Sequence, residues 1–457
     1  MKKPTLFSLL SLLTLINACT TEKKADEWIE LFNGKDLSGW RANENEGTFR
    51  VEDGVIVANG ARSHLFYVGD EKNPIDIKNF ELNAEVMTHY RANSGIYFHT
   101  SYQQEGWPEK GYEVQVNNTH IGADDYKEVK KSGSLYSVRN VYKAFAKDSV
   151  WYHMNIRVEA NHIRVRLDSI LIVDYYEPAS QARQASGTFA LQGHDSISKV
   201  FFRNIKLKIL PDVKSDALQK SDEGLPEVTE GQKQNFAFID TRIFVDRNFD
   251  VDAALKEFYS TGVNLGLVAT TSDDSSLDEF VTKYDPYPVF LGVNESSNLG
   301  AESRGKFDYV IGEITSFEDK NKNSFDVRKD QTISNAESFM DDYVTGIVNK
   351  LNMGTIDIWS SPTLLPKTLA DDYNKLWTKE RMLKVILAAK NNSVGIEVDN
   401  QLKFPGMEFL KLAKENGCLF ALGGVYANHK MNSPDYFTEV IKQCGLGYKD
   451  IFIPDNN

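Results

Sequence analysis

The stretch GYEVQVN, residues 111–117, alternates in the manner of a β-strand with two chemically different faces. One face carries a tyrosine and two valines, which predicts packing against a second sheet. The other face carries a carboxylate and two carboxamides, at Glu113, Gln115 and Asn117. That polar face is either a solvated exterior or the floor of a binding groove.

Residues 28–210 around this strand form a long series of alternating segments without helical periodicity. NFELNAEVMTHY, NSGIYFHT and HIRVRLDSILIVDYY are the clearest of them, and Asp53-Gly54 marks a tight hairpin turn. Many strands separated by turn signals predict an all-β sandwich or jelly roll.

The rhythm changes after residue 210. Residues 211–234 are charged, contain proline and lack aromatic side chains, which is typical of a linker. Residues 235–457 then alternate buried strands such as VNLGLVAT with amphipathic helices such as DVDAALKEFYSTG. This alternation predicts an α/β layer or barrel with parallel strands, so the chain is multidomain.

Composition excludes one class of partner. The 457 residues carry a formal net charge of -13, which repels phosphate backbones, so no nucleic acid is expected to bind. The hydrophobic and charged fractions, 41% and 26%, are those of an ordinary globular protein.

The N-terminus predicts an export signal. Two lysines precede a short apolar run that ends in INAC, which resembles a bacterial lipoprotein signal over residues 1–18, with lipidation at Cys19 and a tether over 19–27. The alternative is a simple secretory signal with a chance cysteine. A lipidated chain would sit in the bacterial cell envelope, on the periplasmic or cell-surface side. Cys418 and Cys444 either pair there or stay as buried thiols.

Other polar residues are expected beside the opening strand. They are amides, imidazoles and a carboxylate on neighbouring strands, together with an aromatic fixed by Pro108: Asn93, His99, Gln192, His194, Asp195 and Trp107. Amides and carboxylates beside an aromatic ring suit a sugar, whose hydroxyls need hydrogen-bond partners and whose ring face stacks.

Five blocks in order, LFNGKDLSGW, FELNAEVMTHYRANSGIYFHT, GWPEKGYEVQVNNTH, SGSLYSV and FRNIKLKIL, resemble the 3-keto-disaccharide hydrolase family over residues 30–210. The resemblance implies a concanavalin-like sandwich that acts on sugars whose 3-hydroxyl a partner sugar 3-dehydrogenase has oxidised. A ketone at C3 acidifies the proton on C2. Removal of that proton expels the aglycone from C1, and water then adds. Such a site needs one base and donors for the enolate, rather than two opposed carboxylates.

The resemblance implies roles for the named residues. Glu113 is the base or a hydroxyl anchor, and His194 is the competing base. The remaining set would bind substrate: Asn93, His99, Trp107, Gln115, Asn117, Gln192 and Asp195. Many relatives carry an arginine where His99 stands, so this chain lacks one fixed positive charge. No cofactor or metal is predicted. A calcium ion on Glu113 and Asp195 is an alternative that no metal-loop spacing supports.

The second domain resembles the polymerase-and-histidinol-phosphatase (PHP) superfamily of metal-dependent hydrolases through FIDTRIFVDRNFDVDAALKEFYSTGVNLGLVAT and TIDIWSSPTLLP. Active members carry His-x-His after the first strand, where this chain reads Arg242-Ile243-Phe244. Of eight histidines only His429 lies here, which indicates a degenerate scaffold. Two alternative functions stay open. In the first, the protein is a non-catalytic carbohydrate-binding lipoprotein. In the second, this domain is a metal-dependent phosphoesterase.

Overall fold

Two antiparallel sheets stack face to face in the first part of the chain. The computed structural model describes residues 27–69, 75–123, 126–181, 183–213, 220–271, 273–295 and 300–454. The sandwich strands are β1 (Trp28–Glu30), β2 (Trp40–Ala42), β3 (Phe49–Glu52), β4 (Val55–Ala58), β5 (Ser63–Tyr67), β6 (Phe80–Thr88), β7 (Asn93–Thr100), β8 (Tyr112–Asn117), β9 (Tyr152–Glu159), β10 (His162–Leu167), β11 (Ile170–Tyr176), β12 (Thr188–Gly193) and β13 (Val200–Ile209).

The larger sheet has the order β11-β10-β9-β6-β13-β4-β3, with β1 also on β13, and the smaller sheet has the order β2-β5-β12-β7-β8. Alternation places every second residue of β6 in the core between the sheets, from Phe80 to Thr88. The hairpin between β3 and β4 turns at Asp53 and Gly54, both at positive φ, as predicted. The antiparallel sandwich is thus confirmed.

The second part of the chain is a closed barrel of seven parallel strands in the order β14-β15-β16-β17-β20-β21-β22. The strands of this part of the chain, inside and outside the barrel, are β14 (Ile239–Phe244), β15 (Asn264–Ala269), β16 (Phe290–Asn294), β17 (Tyr309–Glu313), β18 (Ser316–Glu318), β19 (Ser324–Asp326), β20 (Ile358–Ser360), β21 (Gly395–Asp399), β22 (Phe420–Gly423), β23 (Tyr426–Ala427) and β24 (Lys430–Met431). The pairs β18-β19 and β23-β24 are separate hairpins.

The helices are α1 (Pro226–Lys233), α2 (Val251–Thr261), α3 (Asp274–Tyr284), α4 (Ala301–Arg304), α5 (Ala336–Asn352), α6 (Tyr373–Leu376), α7 (Lys379–Asn391), α8 (Met407–Glu415) and α9 (Asp435–Cys444). Helix α2 begins at an Asp250 cap and ends at Gly262, whose φ of 82° suits glycine. In the described part of the chain, no helix is long and apolar enough to cross a bilayer.

The segment 211–234, predicted as a linker, contains an ordered helix. Proline at the first turn starts α1, and Val228 and Gln232, one turn apart, are buried. The Gln232 amide donates to the Gly262 carbonyl at 2.9 Å, so α1 packs onto the barrel. Part of this segment therefore belongs to the folded body.

The signal peptide, Cys19 and nearly all of the tether lie outside the described residues, so the lipid anchor stays a prediction. Cys418 and Cys444 are both free thiols, and the Cys444 sulfur lies 3.5 Å from the Met407 sulfur instead.

Candidate active site

A cavity of about 410 Å³ lies on the polar face of the smaller sheet. Six of the nine predicted site residues line it: Asn93, Trp107, Glu113, Gln115, Gln192 and His194. The cavity is also lined by residues that were not predicted as site residues, Tyr97, Pro108, Glu109, Gly111, Tyr126, Glu128, Tyr136 and Arg183. Glu113 and Gln115, two of the three polar residues of this strand, therefore form part of a groove floor.

Glu113 is held by two donors from neighbouring strands. Its carboxylate accepts hydrogen bonds from the Tyr97 hydroxyl at 2.7 Å and from the Gln192 amide at 2.9 Å. Strand pairing sets Tyr97 directly opposite Glu113. Gly95 lies beneath the carboxylate, because a Cβ built there would come within 2.3 Å of Glu113 Oε1.

The environment of Glu113 makes it a stronger base than an ordinary carboxylate. Burial raises its pKa to about 7 and the charge of Glu128 adds to the rise, while Tyr97, Gln192 and His194 oppose it. A carboxyl group that titrates near neutrality is suited to general base catalysis.

His194 is oriented from behind by Asp195. The Asp195 carboxylate accepts from Nδ1 of His194 at 2.8 Å and lies 3.4 Å from Nε2 of the buried His120. Although its burial acts in the opposite direction, hydrogen bonds from His120, His194 and the Ser198 backbone hold the pKa of Asp195 well below its usual range. Nε2 of His194 is thereby left for a ligand, since His194 lines the cavity.

His120, His194 and Asp195 are also the one group of potential metal ligands in the described residues, with ligand atoms within 4.8 Å of one another. Two imidazoles and a carboxylate suit zinc or a similar ion better than calcium, which prefers oxygen ligands. Glu113 is not part of this group. Glu113 and Asp195, the pair considered for calcium, therefore do not belong to one group of potential ligands.

Three predicted residues lie behind or away from the cavity wall. Asp195 supports His194 instead of lining the cavity. Asn117 is buried and its amide donates to the carbonyls of Glu128 and Lys130 at 2.9 and 2.7 Å. His99 is buried with both ring nitrogens within 3.0 Å of backbone carbonyls, and burial lowers its pKa despite those carbonyls. These two side chains tie loops together.

Arg183 is a basic residue that lines the cavity and that the sequence did not predict. It follows β11 in a loop, its guanidinium carbon lies 4.7 Å above the Tyr112 ring, and one nitrogen donates to the Gly111 carbonyl at 3.2 Å.

Trp107 forms the aromatic side of the cavity, with 43% of its surface exposed. Its ring centroid lies 5.3 Å from those of both His194 and the fully buried His64. Burial lowers the pKa of His64 to about 3, so this imidazole is neutral and acts as a packing partner. The Arg62 guanidinium carbon also lies over the ring, 5.6 Å from its centre. A partly exposed tryptophan beside polar groups suits stacking against a sugar.

Toward the carboxyl ends of the barrel strands, two buried carboxylates are already paired. Glu397 is fully buried, forms an ion pair with Arg242, and accepts from the Ser360 hydroxyl at 2.7 Å. Asp240 accepts from the backbone of Val425 and Tyr426 at 2.7 and 2.6 Å. The Arg242 guanidinium therefore occupies the centre of this cluster.

Comparison with known proteins gives matches to the first part of the chain. Residues 27–208 match the family model of the 3-keto-alpha-glucoside-1,2-lyase-like domain. A 3-keto-disaccharide hydrolase from Bacteroides thetaiotaomicron is 31% identical over an alignment of 138 residues, and the match covers 25% of this chain and 46% of that protein. The chain thus spans about half the length of the curated relative it matches.

Two crystal structures from Parabacteroides distasonis, each of a candidate glycosyl hydrolase, are also similar. The first is 23% identical and covers 43% of this chain and 99% of its own, with a TM-score of 0.35. The second is 24% identical and covers 40% and 100%, with a TM-score of 0.33.

Proposed function

We propose that the domain at residues 27–208, which is of the 3-keto-disaccharide hydrolase type, cleaves the glycosidic bond of 3-keto-glycosides. The observation that carries this proposal is the Glu113 carboxyl, with its pKa raised to about 7 in a polar cavity beside an exposed tryptophan. A passive sugar-binding groove has no need of such a base.

Glu113 removes the C2 proton, which the adjacent C3 ketone has acidified. The electron pair from the C2–H bond forms an enolate, whose oxygen needs a positive charge or a donor. Arg183 is the one lysine or arginine among the described residues that line the cavity, so we assign it to the ketone oxygen.

His194 acts on the leaving group. The carboxylate of Asp195 stabilises its imidazolium, and Nε2–H donates a proton to the glycosidic oxygen as the C1–O bond breaks. Water then adds at C1 of the enone, His194 takes a proton from that water, and C2 regains the proton held by Glu113. The net change is hydrolysis.

The remaining cavity residues hold the sugar. Gln115 and Asn93 offer amide groups to hydroxyls, Gln192 orients Glu113, and Trp107 stacks against the ring. No step requires a metal or an organic cofactor.

We place this enzyme in the cell envelope, attached through lipid on Cys19, where a sugar 3-dehydrogenase would supply its oxidised substrate. We further propose that the barrel is a PHP-like scaffold without a metal centre. Arg242, where active members carry metal-binding histidines, disfavours phosphoesterase activity.

The test compares wild type with Glu113→Gln and with Glu408→Gln, an exposed acid on α8 of the barrel. Purified proteins are incubated with a 3-keto-glycoside, the same substrate deuterated at C2, and the unoxidised parent. Wild type and the control should release sugar from the keto form alone, with a deuterium isotope effect. Glu113→Gln should lose at least about 100-fold in turnover but still bind the substrate in calorimetry.

Other outcomes decide between the alternatives. Equal cleavage of the parent glycoside would indicate an ordinary glycosidase. Binding of sugar by wild type without any turnover would support the carbohydrate-binding lipoprotein. Full turnover by Glu113→Gln would exclude Glu113 as the base.

A further inference from the structure

One irregular segment separates the cavity from the barrel. Residues 126–143, here called the wall segment, follow β8 and run antiparallel to it without forming a regular strand. Their backbone nitrogens at Ser132, Gly133 and Tyr136 donate to carbonyls of β8 at 2.8 to 2.9 Å. The wall segment thus extends the edge of the smaller sheet, and it contributes Glu128 and Tyr136 to the cavity.

The opposite side of the wall segment is bound to the barrel through a buried arginine. Arg139, which is only 5% exposed, donates to the Tyr259 and Ser260 carbonyls at the end of α2 at 2.9 and 2.6 Å. Its guanidinium also covers the Tyr175 ring at 4.5 Å. A guanidinium with this many fixed partners defines one orientation of the segment.

Further contacts extend this attachment. The Tyr142 hydroxyl donates to the Phe236 carbonyl at 2.9 Å, and the Asn264 amide donates to the Asn140 carbonyl at 2.9 Å. Lys143 forms an ion pair with Asp308 at 2.8 Å. The wall segment is therefore held at several independent points.

Lys130 joins the two sides. Its fully buried ammonium contacts the Glu128 carboxylate at 3.2 Å, lies 4.1 Å from the centre of the Tyr136 ring, and donates to the side-chain oxygen of Asn235. Asn235 lies just before the first barrel strand. A single buried cation thus connects two cavity residues to the barrel.

All of these barrel groups lie at one end of the barrel. Phe236 precedes β14, Asn264 begins β15, Asp308 precedes β17, and the carbonyls at the end of α2 face the same way. This is the amino-terminal end of the strands, which in such barrels serves stability. Arg242 lies toward the opposite, carboxyl-terminal end, where its ion-pair partners Glu397 and Asp399 are barrel residues.

Building on the function proposed above, we propose that the barrel is a structural part of the catalytic cavity and that Lys130 is a positioning residue. Through Asn235 and Arg139 the barrel fixes the wall segment. Lys130 holds the Glu128 carboxylate close enough to Glu113 for its negative charge to make the Glu113 carboxylate more basic. The cavity would then be incomplete without the second domain, although no barrel residue lines it among those described.

The test uses the full chain with Asn235→Gly. Asn235 has a φ of 67°, so glycine removes the Lys130 partner without straining the backbone. The matched control is Asn428→Gly, an exposed asparagine with a φ of 52° at the opposite end of the barrel. A second variant, Lys130→Met, removes the cation itself while keeping the length of the side chain.

Two readouts separate this inference from the proposed activity. Amide hydrogen exchange at Ser132, Gly133 and Tyr136 should accelerate in Asn235→Gly and in Lys130→Met but not in Asn428→Gly. With a 3-keto-glycoside, Asn235→Gly should lower kcat/KM about tenfold and move its pH midpoint, while the control matches wild type.

Unchanged exchange and an unchanged pH midpoint in both variants would overturn the inference. Accelerated exchange in an enzyme whose wild type cleaves no 3-keto-glycoside would refute the proposed activity while the structural role of the barrel stands.

Discussion

The Tyr97 hydroxyl donates a 2.7 Å hydrogen bond to the Glu113 carboxylate from the directly opposed position on the neighbouring strand. This bond favours the ionised carboxylate, whereas burial and the charge of Glu128 favour the protonated one. The basicity of Glu113 is therefore a balance that single substitutions should move in opposite directions.

Tyr97→Phe should raise the pH midpoint of kcat/KM, and Glu128→Gln should lower it. If ionised Glu113 is the base, activity increases as the pH rises through about 7. Loss of the tyrosine donor destabilises the carboxylate and moves the midpoint up by about one unit. Loss of the like charge of Glu128 moves it down. Rate profiles from pH 5 to 9 measure both shifts.

Glu109→Gln serves as the control for these profiles, because Glu109 is an exposed acid at the rim of the same cavity. It should leave the midpoint in place. Shifts of the same sign in Tyr97→Phe and Glu128→Gln would show that the titrating group is not Glu113.

Relative to wild type, Glu113→Gln should be more stable at alkaline pH than at acidic pH. The folded carboxyl keeps its proton up to about pH 7, whereas the unfolded one releases it near its ordinary value of 4.5. Stability contributed by this group is thus present below pH 4.5 and is lost as the pH rises to 7, by about 3 kcal/mol. Glutamine does not titrate.

Thermal unfolding of wild type and Glu113→Gln at pH 5 and pH 8 checks this expectation, since other titrating groups cancel in the comparison. The Tm of Glu113→Gln minus that of wild type should be larger at pH 8 than at pH 5. A gap that is the same at both pH values would mean that the carboxyl is not buried as described.

Gly95→Ala should disable the site without a change in any polar group. The added methyl would meet Glu113 Oε1 at 2.3 Å and its Cγ at 2.8 Å, so the carboxylate must move. A displacement of about 1 Å at a catalytic base can cost on the order of 100-fold in turnover. Gly47→Ala, which meets nothing within 4 Å, is the control. Equal turnover in the two variants would contradict the placement of Glu113.

The architecture could be predicted because it follows from periodicity. Alternation over β8 placed Glu113 and Gln115 on one face, and the glycine after α2 ended that helix where expected. The same alternation gave a wrong prediction for His99, which was expected on the cavity face. Its φ of 53° breaks the alternation at the end of β7. Tyr97 and His99 therefore do not share the cavity face, although they are two residues apart.

The rest of the site could not be predicted because it comes from irregular segments. Glu128, Tyr136 and Arg183 lie in loops without a hydrophobic period, and their positions depend on contacts with residues distant in sequence. Tyr97 sits in a strand that is buried along its whole length, where a tyrosine is ordinarily interpreted as core.

His194→Ala should be rescued by substrates with acidic leaving groups. If His194 protonates the glycosidic oxygen, a sugar or alkyl aglycone should leave about 100-fold or more slowly from the variant. A nitrophenyl aglycone departs without protonation, so its release should be close to the wild-type rate. Asp195→Asn should show the same pattern more weakly, because it removes only the support of the imidazolium. Equal losses with both aglycones would assign His194 a different step.

Arg242→Met should destabilise the barrel strongly. Its guanidinium is paired with Glu397 and Asp399, which are both almost fully buried, and removal of one partner of a buried ion pair costs about 3–5 kcal/mol. Burial already raises the pKa of Glu397, and Arg242 opposes that rise. The variant should therefore bind a proton at Glu397 more readily, and its loss of stability should shrink as the pH falls.

Thermal unfolding of Arg242→Met at pH 5 and pH 8 measures this pH dependence. The control is Arg247→Met, at an exposed arginine of the same segment. A loss that does not depend on pH would show that the guanidinium stabilises the barrel through packing and not by neutralising these carboxylates.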